Sequence, residues 1–301
     1  MKRVDLAPGI FHLQGGSNIG LVAQDGRGLL IDTGLDPDAA RQALRTVEEA
    51  GLTLEAVFLT HAHADHFGGA RFLQQRLQVP LYAPALEAAM MEHPIMEPLF
   101  LFAGAAPITE LRHKFTLAEP CRVDHTVAAG PLEVGPFRLE VVSLPGHALD
   151  QIGVAVGEVL FCADAVFPAQ TLDKHRVIFC ADLDEALTTL ERLPGLPYNR
   201  FAPGHGPAYS AGAEIAAICD ANRERLAQVR DQVLLALQQP QEAAALVQHV
   251  ANGYGLHLKT ATAYFLTRTT ILAALSSLER AGEVSVIMKE NRLLWQRAVS
   301  H

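Results

Sequence analysis

Apolar and polar positions alternate with two periods along the first two thirds of the chain, and these periods separate strands from helices. Short apolar runs bounded by Gly, Asn and Asp-Gly pairs predict strands. A helix is predicted after Asp36, where Pro37 takes the first position and Gly51 ends a run of Ala, Leu and Val at helical spacing. A second helix is predicted over residues 66–77. The strands predicted in this half are residues 9–16, 18–24, 27–34, 54–60 and 80–84.

The same pattern recurs after a long connection. Strand-like runs cover residues 132–144, 151–163 and 198–204, with a helical run over 182–193. Two strand-rich halves, each flanked by helices, predict an α/β fold in which two sheets pack together with helices outside. We therefore expect an αββα sandwich over residues 1–210.

Strand-like patterns give way to helical ones from about Ala211. Long helical runs cover residues 213–237 and 240–255, and a third covers 267–280 before Ala281-Gly282 stops it. Two strand-like runs then surround the turn "KEN". Helices that end in a β-hairpin are typical of a winged helix, so residues 211–301 are predicted to form a smaller, mainly helical domain of that kind.

Composition narrows the class of protein. Half of the 301 residues are hydrophobic, which provides a sizeable core, and a net charge of -9 argues against binding a polyanion over the whole surface. Four scattered cysteines indicate reduced thiols in a cytoplasmic protein. The most apolar run, residues 98–108, is shorter than the ~20 residues that span a bilayer, so we expect a soluble protein without a membrane partner.

The stretch "FLTHAHADHFGGA", residues 58–70, concentrates metal-binding side chains at the end of a predicted strand. His61 and His63 lie on the same side of an extended segment, because side chains alternate with period two. Asp65 and His66 follow at the turn into the next helix and can point at a neighbouring spot. This geometry suits two adjacent metal ions better than one.

Two ions need further ligands, and three candidates stand at the ends of other predicted strands. These are His147 in "PGHA", Asp164 in "CAD" and His205 in "PGHG". Each follows an apolar run and lies among Gly, Pro or small residues, where a ligand is exposed and rigidly held.

Taken in order, "THAHADH", "PGHA", "CAD" and "PGHG" resemble the metallo-β-lactamase superfamily of hydrolases, and in particular its glyoxalase II-like branch. The resemblance covers roughly residues 5 to 210. It implies one metal held by His61, His63 and His147, a second held by Asp65, His66 and His205, and Asp164 bridging the two. It also implies that Asp32 is not itself a metal ligand but supports the loop that carries the ligands.

The resemblance implies a chemistry. Two divalent cations about 3.5–4 Å apart bind a shared water and lower its pKa towards ~7, which supplies hydroxide at neutral pH. Asp65 would orient that hydroxide. Zinc is the default ion for imidazole and carboxylate ligands, and iron or manganese also suit them. Many true β-lactamases of the superfamily have cysteine where this chain has Asp164, so antibiotic hydrolysis is not expected.

Candidate substrate contacts are fewer. The apolar connection over residues 90–115 suits a lid or pocket wall over the metals, and equally a surface that docks the tail domain or a second chain. His113 in this connection, with Lys174 and His175 after Asp164, could contact an anionic substrate. Solvated surface positions are the competing interpretation of all three.

Three functions compete. The favoured one is a metal-dependent hydrolase that uses metal-bound hydroxide on a small ester, thioester or lactone. The second is an endoribonuclease or phosphodiesterase whose winged helix assists RNA binding. The third is a non-catalytic regulator that binds a ligand or DNA, which intact metal ligands disfavour.

The predicted C-terminal domain, residues 211–301, has few side chains that could bind nucleic acid. It carries nine Lys or Arg against eight Asp or Glu. The recognition helix of a winged helix would be the one over residues 267–280, and it offers only two arginines for binding phosphates, with four hydroxyl side chains. These residues are Arg268 and Arg280 with Thr269, Thr270, Ser276 and Ser277. Packing or homodimer formation is therefore favoured for this helix.

Overall fold

Two β-sheets lie face to face at the centre of the computed structural model, which describes residues 1–298. The first sheet has seven strands in sequential order, antiparallel from β1 to β4 and parallel from β4 to β7. Its strands are β1 (Lys2–Ala7), β2 (Ile10–Gln14), β3 (Ile19–Gln24), β4 (Arg27–Ile31), β5 (Thr53–Phe58), β6 (Leu81–Pro84) and β7 (His125–Val127). The second sheet has six strands, and only β11 and β12 pair in parallel. Its strands are β8 (Gly130–Val134), β9 (Phe137–Ser143), β10 (Ile152–Val156), β11 (Val159–Ala163), β12 (Arg200–Pro203) and β13 (Tyr209–Ser210).

Helices cover the outer face of each sheet, which confirms the predicted αββα sandwich. Ten α-helices occur within residues 1–298. They are α1 (Pro37–Glu49), α2 (Ala64–Phe67), α3 (Ala70–Leu77), α4 (Ala85–Glu92), α5 (Met96–Leu101), α6 (Ala169–Lys174), α7 (Leu183–Arg192), α8 (Ala213–Ala236), α9 (Ala243–Gly253) and α10 (Ala261–Arg280). Helices α1, α3 and α4 bury their apolar faces against the first sheet. Residues of α7, α8, α9 and α10 share one apolar core with the outer face of the second sheet.

The inner faces of the two sheets share a third apolar core. Phe58 from the first sheet and Phe137 from the second are both fully buried there, and Phe161 joins them. Burying such a side chain stabilises the fold by roughly 1.5–3 kcal/mol. The sheets are thereby held in one relative position, so that the ends of β5, β11 and β12 meet at one edge of the sandwich.

Local chemistry explains where the helices begin. The Asp36 side chain accepts a hydrogen bond from the Ala39 amide and caps α1, as predicted.

The helix predicted over residues 66–77 is instead two helices broken at Gly68-Gly69. A Cβ at Gly68 would lie 2.0 Å from the Leu35 carbonyl oxygen, so the break lets two backbone segments touch. The glycine pair thus serves this packing between backbone segments.

The helix predicted from residue 240 begins three residues later, at Ala243. Gln241 exchanges two backbone hydrogen bonds with Trp295, and this pairing keeps the chain extended up to Glu242. The apolar connection over residues 90–115 also differs from an open loop, because it contains α5 and a 3₁₀ turn, Thr109–Leu111.

The C-terminal region has the predicted order of helices followed by a hairpin. Strands β14 (Val284–Lys289) and β15 (Arg292–Arg297) pair across a turn in which Glu290 and Asn291 both have positive φ. The winged-helix assignment itself stays a prediction, and the last three positions of the predicted domain 211–301 lie outside the described residues. Among the described helices, none combines the length and apolar composition needed to cross a bilayer.

Candidate metal centre

The seven side chains predicted as ligands come from four separate places in the chain, each just beyond a strand. His61 and His63 follow β5, and Asp65 and His66 lie in the single turn of α2. His147 follows β9, Asp164 directly follows β11, and His205 follows β12. A strand end is held by its sheet while the next residue is free to turn, so each side chain lies at the edge of the sandwich and is fixed in place.

The structure gathers all seven at one edge of the sandwich. Three overlapping groups have donor atoms within 4.8 Å of one another: His61, His63 and His147; His61, His66 and Asp164; and Asp65, His66 and His205. The first and third groups are the two triads that the family resemblance implies. Asp164 lies between them: one carboxylate oxygen is 3.4 Å from His66 Nε2, and the other is 3.3 Å from His205 Nε2 and 3.6 Å from His147 Nε2.

Four of the five imidazoles use Nδ1 for a contact away from the centre of the cluster. His147 Nδ1 faces the Phe179 carbonyl at 3.2 Å, and His205 Nδ1 faces the Gly16 carbonyl at 3.1 Å. A carbonyl accepts only from N–H, so these contacts place a proton on Nδ1 and turn Nε2 towards the centre, where it can bind a cation once it carries no proton. His61 Nδ1 meets the Thr60 hydroxyl, and His66 Nδ1 meets Asp32.

Asp32 links two parts of the cluster. It follows β4 with a φ of 64°, a conformation that costs a non-glycine residue energy and persists only when the surroundings hold it. One carboxylate oxygen accepts from the Thr60 amide at 2.8 Å, and the other contacts the Thr60 hydroxyl and His66 Nδ1 at 2.9 and 2.8 Å. This buried carboxylate therefore fixes the segment before His61 and the ring of His66 together.

Burial and charge divide the histidines into two sets. Burial lowers the pKa of His61 well below its ordinary value, lowers that of His63 to about 3 and also lowers that of His147, so these rings are neutral and can bind a cation. Burial opposes charge on His66 and His205 as well, but the Asp164 carboxylate outweighs it. The pKa of His66 rises well above the ordinary value and that of His205 rises to about 10.

The carboxylates show the complementary shift. Burial opposes ionisation of Asp164, but the imidazoles of His205 and His66 outweigh it and hold the pKa well below the usual range. His66 and His205 likewise depress the pKa of Asp65 against the effect of burial. The metal-free cluster thus places ionised carboxylates between three neutral imidazoles and two protonated ones, and a bound cation would take the place of the protons on His66 and His205.

The donor set fits a bound cation. His61 Nε2, His66 Nε2 and Asp164 Oδ1 are buried and have no hydrogen-bond partner within residues 1–298. Buried polar atoms are almost always paired, so three unpaired atoms that converge need a further group between them. Nitrogen and carboxylate oxygen are the donors that zinc, iron and manganese accept.

The residues predicted to contact substrate lie in different places. Lys174 ends α6 and His175 follows it, both exposed, and the pKa of His175 is lowered by partial desolvation and by the charges of Lys174 and His205. His113 Nε2 lies 2.8 Å from the Thr262 hydroxyl of α10, so this ring ties the 90–115 connection to the C-terminal region. Phe102 of the same connection packs against Phe265 of α10.

Two supporting residues were missed by the sequence patterns. Glu87 of α4 is 3% exposed and accepts hydrogen bonds from the Ala62 amide at 2.8 Å and the Asp150 amide at 3.1 Å. It therefore joins the loop that carries His61 and His63 to the loop that carries His147. Ser17 donates its hydroxyl hydrogen bond to Asp65 at 2.8 Å. A lone acid in the apolar stretch "PALEAAMM" was the available signal for Glu87.

Comparison with known proteins identifies relatives. The chain is similar to a hydroxyacylglutathione hydrolase of Hahella chejuensis, with 32% identity over 171 residues, 54% of this chain and 53% of that protein. It is also similar to a hydroxyacylglutathione hydrolase of Vibrio cholerae, with 27% identity over 200 residues, 66% of each chain. The chain thus spans between about half and two thirds of the length of these relatives.

Solved structures extend the likeness of the fold to the whole chain. A metallo-beta-lactamase family protein from Thermus thermophilus superposes with a TM-score of 0.73 at 22% identity, over 97% of this chain and 100% of that one. A beta-lactamase domain protein from Burkholderia ambifaria gives 0.73 at 21% identity, over 99% and 94%.

The family model described as the metallo-beta-lactamase superfamily matches residues 13–205. That range contains β3 to β12 and all seven side chains of the cluster. The chain belongs to the metallo-β-lactamase superfamily.

Proposed function

We propose that the chain is a metal-dependent hydrolase that binds two divalent cations, most naturally zinc, and cleaves a small ester, thioester or lactone. The observation that carries this proposal is the convergence of five imidazoles and two carboxylates, with three buried donor atoms left unpaired in the part of the chain that the structure describes. His61, His63 and His147 would hold one ion, and Asp65, His66 and His205 the other. Asp164 would contact both.

Two divalent cations held by these residues would supply an acidified water and a positive charge beside the carbonyl of the substrate. The protein's own contribution is position and charge. Asp65 is held by the Ser17 hydroxyl and lies 3.4 Å from His205 Nε2, so its carboxylate is directed into the centre and can orient the attacking water. Asp32 and Glu87 would hold the loops that carry the metal-binding side chains in fixed relative positions while the substrate binds and leaves.

The substrate class rests on the surroundings of the site. The Phe179 ring packs edge-on against His63 and His147, with centroids 5.1 and 5.4 Å away, and so offers an apolar wall to an acyl group. Lys174 would provide a cationic contact for an acidic leaving group, and the neutral His175 beside it would provide a hydrogen bond. The relatives named as hydroxyacylglutathione hydrolases support a thioester whose thiol portion carries carboxylates.

RNA cleavage has less support. Arg280 of the presumed recognition helix pairs with Asp182 and Asp184, while Thr270 and Ser277 are buried. These side chains contact the segment 178–182 and the first turn of α7, so they are not free to bind phosphates.

A substrate panel tests the proposal on protein whose metal content has been measured. We expect hydrolysis of thioesters or esters that chelation abolishes and added zinc restores, and loss of that activity in Asp164→Ala. Salt-sensitive cleavage of RNA that is lost in His63→Ala, without thioester hydrolysis, would favour the second function. Ligand binding that survives complete removal of metal would favour the regulator. Undiminished turnover after chelation would falsify the proposed mechanism.

A further inference from the structure

Helix α10 contacts the segment that carries the oxygen facing His147. Thr270 is fully buried, and its hydroxyl donates to the Ile178 carbonyl at 2.9 Å and accepts from the Cys180 amide at 3.2 Å. Phe179 lies between these two residues, and its carbonyl is the oxygen 3.2 Å from His147 Nδ1. One hydroxyl of the C-terminal region therefore pins the backbone on both sides of that carbonyl.

The same segment is bound to the ligand loop on its other side. The Gly146 carbonyl accepts from the amides of Ala181 and Asp182 at 2.9 and 3.0 Å. Gly146 directly precedes His147. Residues 178–182 thus form a strip that hydrogen-bonds to α10 on one side and to the loop of His147 on the other.

Further contacts of α10 fix the end of this strip. Ser277 donates to Asp184 at 2.5 Å, and Arg280 pairs with both Asp182 and Asp184. Ser277 and Arg280 lie about two and three helical turns beyond Thr270, so the three residues share one face of α10. That face follows the strip along its length.

We propose that Thr270 is a positioning residue for the metal site, which it serves by holding the Phe179 carbonyl that orients the His147 imidazole. The C-terminal region thereby becomes part of the metal site without touching a metal. The inference rests on the proposed function, since it assigns a role at the same site. Partners behind the ligands fix ring orientation and tautomer, and their loss typically weakens metal binding about 10- to 100-fold.

Substitution of the hydroxyl alone tests the inference. Thr270→Val keeps the shape of the side chain but leaves the Ile178 carbonyl and the Cys180 amide without their partner. Thr270→Ser restores the hydroxyl. Thr269→Val is the matched control, because among residues 1–298 the neighbouring Thr269 hydroxyl bonds only to the Phe265 carbonyl of its own helix, at 3.0 Å.

Zinc affinity is measured on chelator-stripped protein by competition with a chromogenic chelator, and the visible spectrum of the cobalt-loaded protein reports ligand geometry. We expect one of the two zinc ions to bind about tenfold more weakly in Thr270→Val, with a changed cobalt spectrum. Thr270→Ser and Thr269→Val should match the wild type. Wild-type affinity and spectrum in Thr270→Val overturn the inference.

Folding is checked separately by circular dichroism of the metal-free variants. If Thr270→Val does not fold, Thr270→Ala replaces it, since it removes the hydroxyl and adds no atoms. Wild-type zinc affinity and an unchanged cobalt spectrum in folded Thr270→Ala overturn the inference equally. A wild-type protein that binds no zinc contradicts the proposed function instead, so the two failures are distinguishable.

Discussion

At the scale of single residues, the site depends on side chains that bind backbone amides as much as on the ligands themselves. Glu87 is the clearest case, because its two oxygens hold the amides of Ala62 and Asp150 in two different ligand loops. Neither amide lies in regular secondary structure, so the carboxylate supplies the partner that a helix or sheet would otherwise provide.

Glu87→Gln should loosen both loops. A glutamine has one acceptor oxygen, so one buried amide loses its partner at a cost of about 1–3 kcal/mol in the free energy of unfolding. We expect that loss in urea titrations of metal-free protein, together with weaker zinc binding. Glu92→Gln is the control, because Glu92 ends the same helix and, within the described part of the chain, accepts only from the Val123 amide. Equal effects of the two substitutions would contradict the role of Glu87.

His12 predicts a pH dependence of stability. Burial lowers the pKa of His12 from 6.5 to about 4, against the effect of its hydrogen bond with the Pro203 carbonyl. As the pH falls from 6.5 to 4, His12 binds a proton in the unfolded chain, whereas in the folded chain it stays largely neutral. The free energy of unfolding therefore falls by about 3 kcal/mol from this residue alone across that window.

The substitution His12→Gln keeps a donor for the Pro203 carbonyl and removes the titration. Urea unfolding of metal-free protein at several pH values between about 4.5 and 7 should give a shallower decline in the variant than in the wild type. Parallel curves for the two proteins would show that His12 is not the source.

At the scale of elements, the sequence predicted the edge of the sandwich well because its signals are local. Asp164 and His205 each follow an apolar run within two residues, and strand ends are visible in the pattern of β11 and β12. The partners of the ligands were not visible, because the contacts of Glu87, Thr270 and Ser17 cross 25 to 92 residues. The predicted start of α9 was wrong for the same reason, because the pairing of Gln241 with Trp295 joins residues that are far apart in the chain.

The parallel strands β11 and β12 bring Asp164 and Gly204 into close approach. A Cβ at Gly204 would lie 2.2 Å from Asp164 Oδ1 and 2.6 Å from His66 Cε1. Gly204→Ala should therefore displace a ligand and lower hydrolysis by about a hundredfold, with fewer than two metals in elemental analysis. Gly195→Ala serves as the control, since a Cβ there would meet no atom of residues 1–298 within 4 Å apart from its neighbours in the chain. Full metal content in Gly204→Ala would show that the site tolerates the shift.

At the scale of the whole molecule, one apolar core crosses the predicted boundary near residue 210. Leu160 and Cys162 of β11 share it with Leu226 of α8, Leu246 of α9 and Ile271 of α10. The C-terminal helices therefore complete the outer layer on the second sheet. This continuity favours the packing role for the tail over a separate nucleic-acid module.

A shared core predicts one cooperative unfolding transition. The single tryptophan, Trp295, lies in β15, so its fluorescence reports on the C-terminal region alone, whereas far-ultraviolet circular dichroism reports on the whole chain. Urea titrations followed by the two signals should have the same midpoint. A tryptophan transition at lower urea would mean that the tail unfolds independently and that the two parts are separate domains.

Zinc stoichiometry tests the central claim most directly. Metal-free protein is loaded with excess zinc, freed of unbound ion by gel filtration and analysed for its elements, beside Asp164→Ala treated in the same way. The seven converging side chains predict two zinc ions per chain in the wild type and fewer in Asp164→Ala. One ion or none in the wild type, or two in both proteins, would contradict the account.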